Sequence, residues 1–88
     1  MALVKINPAH EARVTWDRAA DRPTAVHFAG RHLRVLELDA IRDERSAYPA
    51  ESGPRVTYLL RTDDGGRASL VYDDRARRWY LEALEPAA

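Results

Sequence analysis

The sequence predicts an all-β protein, a small antiparallel meander of five or six strands curled into a partly open barrel. Three observations predict it. Apolar residues recur mostly at every second position, the period of half-buried strands. Turn residues fall where neighbouring runs bring their apolar positions into register. The apolar residues of all the runs share one face, which a flat sheet would leave wet, so the sheet must curl or be covered.

The chain has 88 residues, enough for one domain. A domain of this size buries only about 60–65% of the surface its unfolded chain exposes, so its core is thin. Residues 1–11 are expected to be a flexible segment or an extra strand, 12–84 the β domain, and 85–88 a tail.

The first clear run is Ala12-Arg-Val-Thr-Trp16, with Val14 and Trp16 on one face. A polar connection, Asp17 to Pro23, leads into Thr24-Ala-Val-His-Phe-Ala29, which presents Val26 and Phe28. Pairing Phe28 with Leu33 and Val26 with Val35 leaves a two-residue loop at Gly30-Arg31. Glycine at its first position suits a type II′ turn, which needs positive φ there.

From His32 the pattern changes phase, because Leu33 and Val35 share one face and Leu36 and Leu38 the other. A β-bulge or a strand apolar on both sides accounts for this. A helix over 33–48 competes, since Leu38, Ile41, Arg45 and Tyr48 fall at helical spacing. Strand is the reading for Leu33–Asp39, and 40–45 is left open. Residues 42–54, with Pro49, Gly53 and Pro54, form a long polar loop.

The C-terminal half reads most clearly. Val56, Tyr58 and Leu60 fall opposite Tyr72, Leu70 and Ala68 across a three-residue loop, Asp63-Asp64-Gly65. Gly65 takes the left-handed position of that loop. A last strand over 78–84 pairs Trp79 with Tyr72 and Leu81 with Leu70, and sets Asp73 opposite Arg78 as a cross-strand ion pair.

Composition excludes several function classes. Fourteen basic and fourteen acidic residues cancel, which removes the overall electrostatic grip of a highly basic nucleic-acid binder but not a local patch. With no cysteine there is no disulfide, thiolate metal site or thiol nucleophile. No Gly-rich phosphate loop, nucleophile elbow or HExxH pattern occurs, so neither an enzyme nor a cofactor is expected. The pairs Asp63-Asp64 and Asp73-Asp74 sit in turns, where aspartate bonds its own backbone. His27 and His32 fall diagonally across a hairpin on the outer face, but no third ligand can be placed, so no metal is expected. No apolar run approaches the roughly 18 residues of a membrane span. The start Met1-Ala-Leu-Val-Lys-Ile lacks a signal peptide's apolar core, so a cytoplasmic protein is expected.

The outer face carries the candidate site. Arg61 falls opposite Arg67, an unfavourable like-charge pair that a phosphate or a partner's carboxylate would relieve. Asp63 and Asp64 could equally neutralise it. Tyr80 is the one strand aromatic expected outside, with Thr57, Leu59 and Val71 beside it. That face is either an interaction surface or covered by Leu3–Ile6. Arg61, Arg67 and Tyr80, extended by Arg31 and Arg34, are the candidate binding residues.

The stretch Phe28-Ala-Gly-Arg-His-Leu-Arg-Val35, the run Asp64-Gly-Gly with Leu70-Val-Tyr-Asp73, and the ending Arg78-Trp-Tyr-Leu81 resemble a family of small uncharacterised bacterial β domains. The likeness spans about 24–84 and departs from the pattern at Arg77-Arg78, where glycine is favoured before the tryptophan. Members of that family occur in actinobacteria and deinococci, some near or fused to error-prone polymerase homologues. The resemblance implies an association with DNA maintenance and transfers no catalytic residue. The expected function is therefore a non-enzymatic interaction module that binds single-stranded nucleic acid or a DNA-repair protein. The alternative is a protein-interaction module that self-associates as a homodimer through an apolar face or a free strand edge.

Overall fold

A computed structural model describes residues 3–44, 46 and 54–85. Most of the loop expected at 42–54, with Tyr48, lies outside the described residues. Six antiparallel strands close into a barrel in sequence order: β1 (Val4–Asp17), β2 (Arg22–Phe28), β3 (Arg31–Asp43), β4 (Arg55–Thr62), β5 (Arg67–Asp73) and β6 (Arg78–Glu85). The competing helix over 33–48 does not form where the chain is described, and the open stretch 40–43 continues the strand. Glu85, expected in the tail, belongs to β6.

Closure corrects the expectation of a partly open barrel, and the two long strands achieve it by changing partner along their length. The lower part of β1, Val4 to Ala12, pairs with β6, whereas Arg13 to Asp17 pair with β2. Likewise Arg31 to Arg34 of β3 pair with β2, and Val35 to Asp43 pair with β4. Residues 4–11 are therefore strand rather than flap, and Ile6 packs against the core. Among the described residues each strand therefore pairs with two neighbours around the barrel, and no whole strand is left as an edge.

The phase change in β3 is a bulge, as the sequence suggested: register shifts fall between Val35 and Glu37 and between Leu38 and Ala40. The β2–β3 hairpin differs from its expected register. Val26 pairs with Leu33 and Phe28 with Arg31, so the turn is Ala29-Gly30. Both turn residues have positive φ, 46° and 74°, which is the type I′ pattern rather than II′. A two-step slip leaves every side chain on its own face, so hydrophobic periodicity could not separate the two registers.

The C-terminal meander matches its expected register from Val56↔Tyr72 to Arg61↔Arg67, and Tyr72↔Trp79 with Leu70↔Leu81. Gly65 is left-handed at φ 84° and closes the turn with its amide on the Thr62 carbonyl. Val26, Leu60, Leu70 and Leu81 form the fully buried centre of the barrel.

Candidate functional site

On the outer face of β4–β6 every arginine that the sequence singled out has found a carboxylate. Arg61 lies 3.1 Å from Glu37 and 3.5 Å from Asp39. Arg67 makes two bonds to Glu85, at 2.7 and 3.1 Å. Arg55 pairs with Glu82 across the same face. Neutralisation was expected from Asp63 and Asp64, and the structure corrects this, because both carboxylates serve the turn. Asp63 accepts the Arg34 backbone amide at 3.1 Å. Asp64 accepts the Thr62 hydroxyl at 2.6 Å and the Gly66 amide at 3.0 Å. Those two bonds, together with the nearby Arg31 charge, hold the Asp64 pKa below its ordinary value.

The expected Asp73–Arg78 ion pair is a second correction. The two residues are in register, yet Asp73 caps the following turn by accepting the amides of Arg75 and Ala76. Arg78 turns instead to Glu11, 3.2 Å from each of its oxygens. Tyr80 is half-buried between Glu11 on one side and Val71 on the other rather than freely presented.

The outer face of β1–β3 is arranged differently. Arg13, His27 and His32 form one cross-strand row, and Arg34 follows two residues along β3. The two imidazoles, expected to lie diagonally, are directly opposed and stacked, with centroids 4.4 Å apart and planes 23° from parallel. Among the described residues, Arg13, Arg31 and Arg34 make no ion pair with a carboxylate. Arg31 closes the lower end of the row, its guanidinium 5.3 Å from the centre of the Phe28 ring. A shallow concavity of about 460 Å³ opens there, lined by Glu11, Arg13, His27, Arg31 and His32. His10 lies beside Phe28, at 6.4 Å, and no group of three metal-ligating side chains occurs among the described residues.

Of the five candidate site residues, then, Arg34 lies on this basic surface and Arg31 at its lower rim over Phe28, while Arg61, Arg67 and Tyr80 lie on the other. Arg13, His27 and His32 were missed as a set. They meet only through the β1–β2 pairing, whose register the polar connection at 17–23 conceals.

The upper end of the barrel holds a second feature the sequence reading took for plain core. Trp16, Tyr58, Tyr72 and Trp79 converge on a cavity of about 490 Å³, with Trp79 4.8–6.1 Å from each of the other three rings. Asp43 lines the same cavity.

No protein-family model matches this chain, and no curated protein or solved structure matches it either. Among the described residues no helix is long and apolar enough to cross a membrane.

Proposed function

We propose that the protein is a non-enzymatic binding module that holds single-stranded nucleic acid across the outer face of β1–β3. The observation that carries this reading is the row of Arg13, His27, His32 and Arg34, cationic or protonatable groups to which no carboxylate is paired among the described residues. Guanidinium groups without an internal partner offer their donors to phosphate oxygens, and such contacts release counterions from the strand. Imidazole faces between them suit a stacked base. Zero net charge does not oppose this, since five of the fourteen acidic residues, Glu11, Glu37, Asp39, Glu82 and Glu85, are engaged by Arg55, Arg61, Arg67 and Arg78. The resemblance to bacterial β domains found near polymerase homologues supports an association with DNA maintenance as part of the same proposal.

Fluorescence anisotropy of a labelled oligonucleotide, titrated at low and at physiological salt, tests it. Saturable binding that weakens as salt rises is expected, with a slope of about 0.7 per phosphate contacted. Arg13→Ala/Arg34→Ala is expected to weaken it about tenfold or more, and Arg61→Ala/Arg67→Ala by less than about twofold. Absence of binding at low salt overturns the reading. A larger loss from the Arg61/Arg67 pair moves the site back to β4 and β5.

A further inference from the structure

We propose that the concavity at the lower end of the β1–β3 face is a site for a phosphate monoester, the group that ends a phosphorylated strand. The inference rests on the nucleic-acid reading above and names the part of the strand that this end of the face holds.

The concavity exists because β1 changes partner. Arg13 pairs with His27, but from Ala12 down β1 is bonded to β6. The tip of the β2–β3 hairpin is thus left beside β1 with no backbone register between them among the described residues. The space of about 460 Å³ is lined by Glu11, Ala12 and Arg13 from β1 and by residues 27–32 of the hairpin. Phe28, 6% exposed, forms its floor, and the Arg31 guanidinium stands 5.3 Å from the centre of that ring. Gly30 lines it with nothing beyond its own chain neighbours within 4 Å of where a Cβ would stand, so the protein does not fill the space over the turn.

The lining selects its ligand by charge and by hydrogen-bond donors. Arg13 from β1 and Arg31 from β3 bring two guanidinium groups to one space, and neither makes an ion pair among the described residues. His27 and His32 add ring N–H donors, which an imidazole keeps in either protonation state. Among the described residues Glu11 is the one carboxylate in the lining, and Arg78 engages both of its oxygens at 3.2 Å. Asp64 feels the Arg31 charge but bonds Thr62 and Gly66. An internal phosphodiester brings a single charge and two free oxygens. A monoester at neutral pH brings about −1.5 to −2 and three free oxygens. It answers both guanidinium groups and leaves an oxygen for an imidazole, and a concave surface of one sign strengthens the field it meets. Arg34 lies outside the lining, two residues along β3 from His32, where it meets an internal phosphate of the same strand.

Anisotropy with a short single-stranded oligonucleotide tests the site at neutral pH. The strand is labelled at an internal base and carries a 5′-phosphate, a 3′-phosphate, or hydroxyls at both ends. A phosphorylated end is expected to bind about tenfold more tightly than the hydroxyl-ended strand. The ratio of the two affinities is the readout, because a general loss of charge or of folding moves both together. Arg31→Gln, at an exposed position, should reduce the ratio to less than about threefold. Arg34→Gln should weaken both strands and leave the ratio in place. Adenosine 5′-monophosphate as competitor separates the two sources of a monoester. A strand more than about tenfold tighter than the mononucleotide makes the ligand a strand end, and closer affinities make it a free monoester. Equal binding of phosphorylated and hydroxyl-ended strands overturns the inference and leaves the nucleic-acid reading standing. A ratio that Arg31→Gln leaves unchanged overturns it as well. Absence of binding by every strand overturns both.

Discussion

The two outer faces of the barrel carry arginines to opposite ends. On β4–β6, Arg55, Arg61 and Arg67 meet Glu82, Glu37 with Asp39, and Glu85, acids brought by β6 and by the upper half of β3. On β1–β3, Glu11 lines the concavity beside the row, and Arg78 engages it from β6, while Asp63 is bonded to the Arg34 backbone amide. Burial follows the same division. Val71, Ser69 and Ala83 point outward from the barrel yet are 5–8% exposed, whereas His32 and Arg34 are exposed. A zero net charge is therefore an average over a face that has satisfied its charges internally and one that has not. The first belongs to the stability of the fold, the second to what the fold can hold.

Substitution can break this comparison. The largest effect is expected where an outward residue is buried: Val71→Asp places a carboxylate in a site that water does not reach, and should cost about 3 kcal/mol, or roughly 10–20 °C in Tm. Thr15→Asp, outward on β1 and exposed, should stay within about 0.5 kcal/mol. Equal losses in thermal melts of the two would erase the distinction between the faces.

A smaller difference separates the arginines. Arg67→Ala should lose up to about 1 kcal/mol in urea denaturation, since its two bonds to Glu85 are partly screened by solvent. Arg13→Ala should leave stability unchanged or slightly improved, because it relieves a cation facing His27 and leaves no carboxylate unpaired. A larger loss from Arg13 than from Arg67 would give the β1–β3 face a structural role.

The smallest effect concerns acid stability, and Asp64 sharpens it. Thr62 and Gly66 bond the charged carboxylate, so its pKa is lower in the folded than in the unfolded chain. The stability this contributes is fully present above the unfolded value of about 3.9 and is lost as pH falls through the folded value. Asp64→Asn should therefore lower the urea midpoint at neutral pH and flatten its decline below about pH 4. A parallel decline in both proteins would show that Asp64 contributes nothing to it.

Much of the fold was legible in the residues, and unevenly. Asp63-Asp64-Gly65 and the turn at 74–77 are short enough that loop length alone dictates which residues face each other, so Val56↔Tyr72 and Leu70↔Leu81 could be read directly. At Ala29-Gly30 two turn types fit the same alternation, and the choice fell to the non-glycine residue adopting positive φ, against its usual preference. The candidate site was less legible. Arg31 and Arg34 could be marked as exposed cations, but Arg13 joins them only once β1 has its register with β2. Trp16 looked like core because its neighbours Tyr58 and Trp79 are also core by alternation, and alternation says nothing of height along a barrel.

What the sequence by itself determined is the local part: the strands, which side of each strand faces inward, and the pairing across short turns. These follow from side-chain period and loop geometry, which act within a few residues. Only the tertiary structure decided that the barrel closes, through Ala12↔Trp79 and its neighbours on β1 and β6. It alone decided that Arg78 reaches Glu11, 67 residues away, and that Arg13 forms no ion pair among the described residues. The stagger at which a sheet meets itself is set by all six strands together, so no single stretch of chain encodes which charges it will leave unpaired.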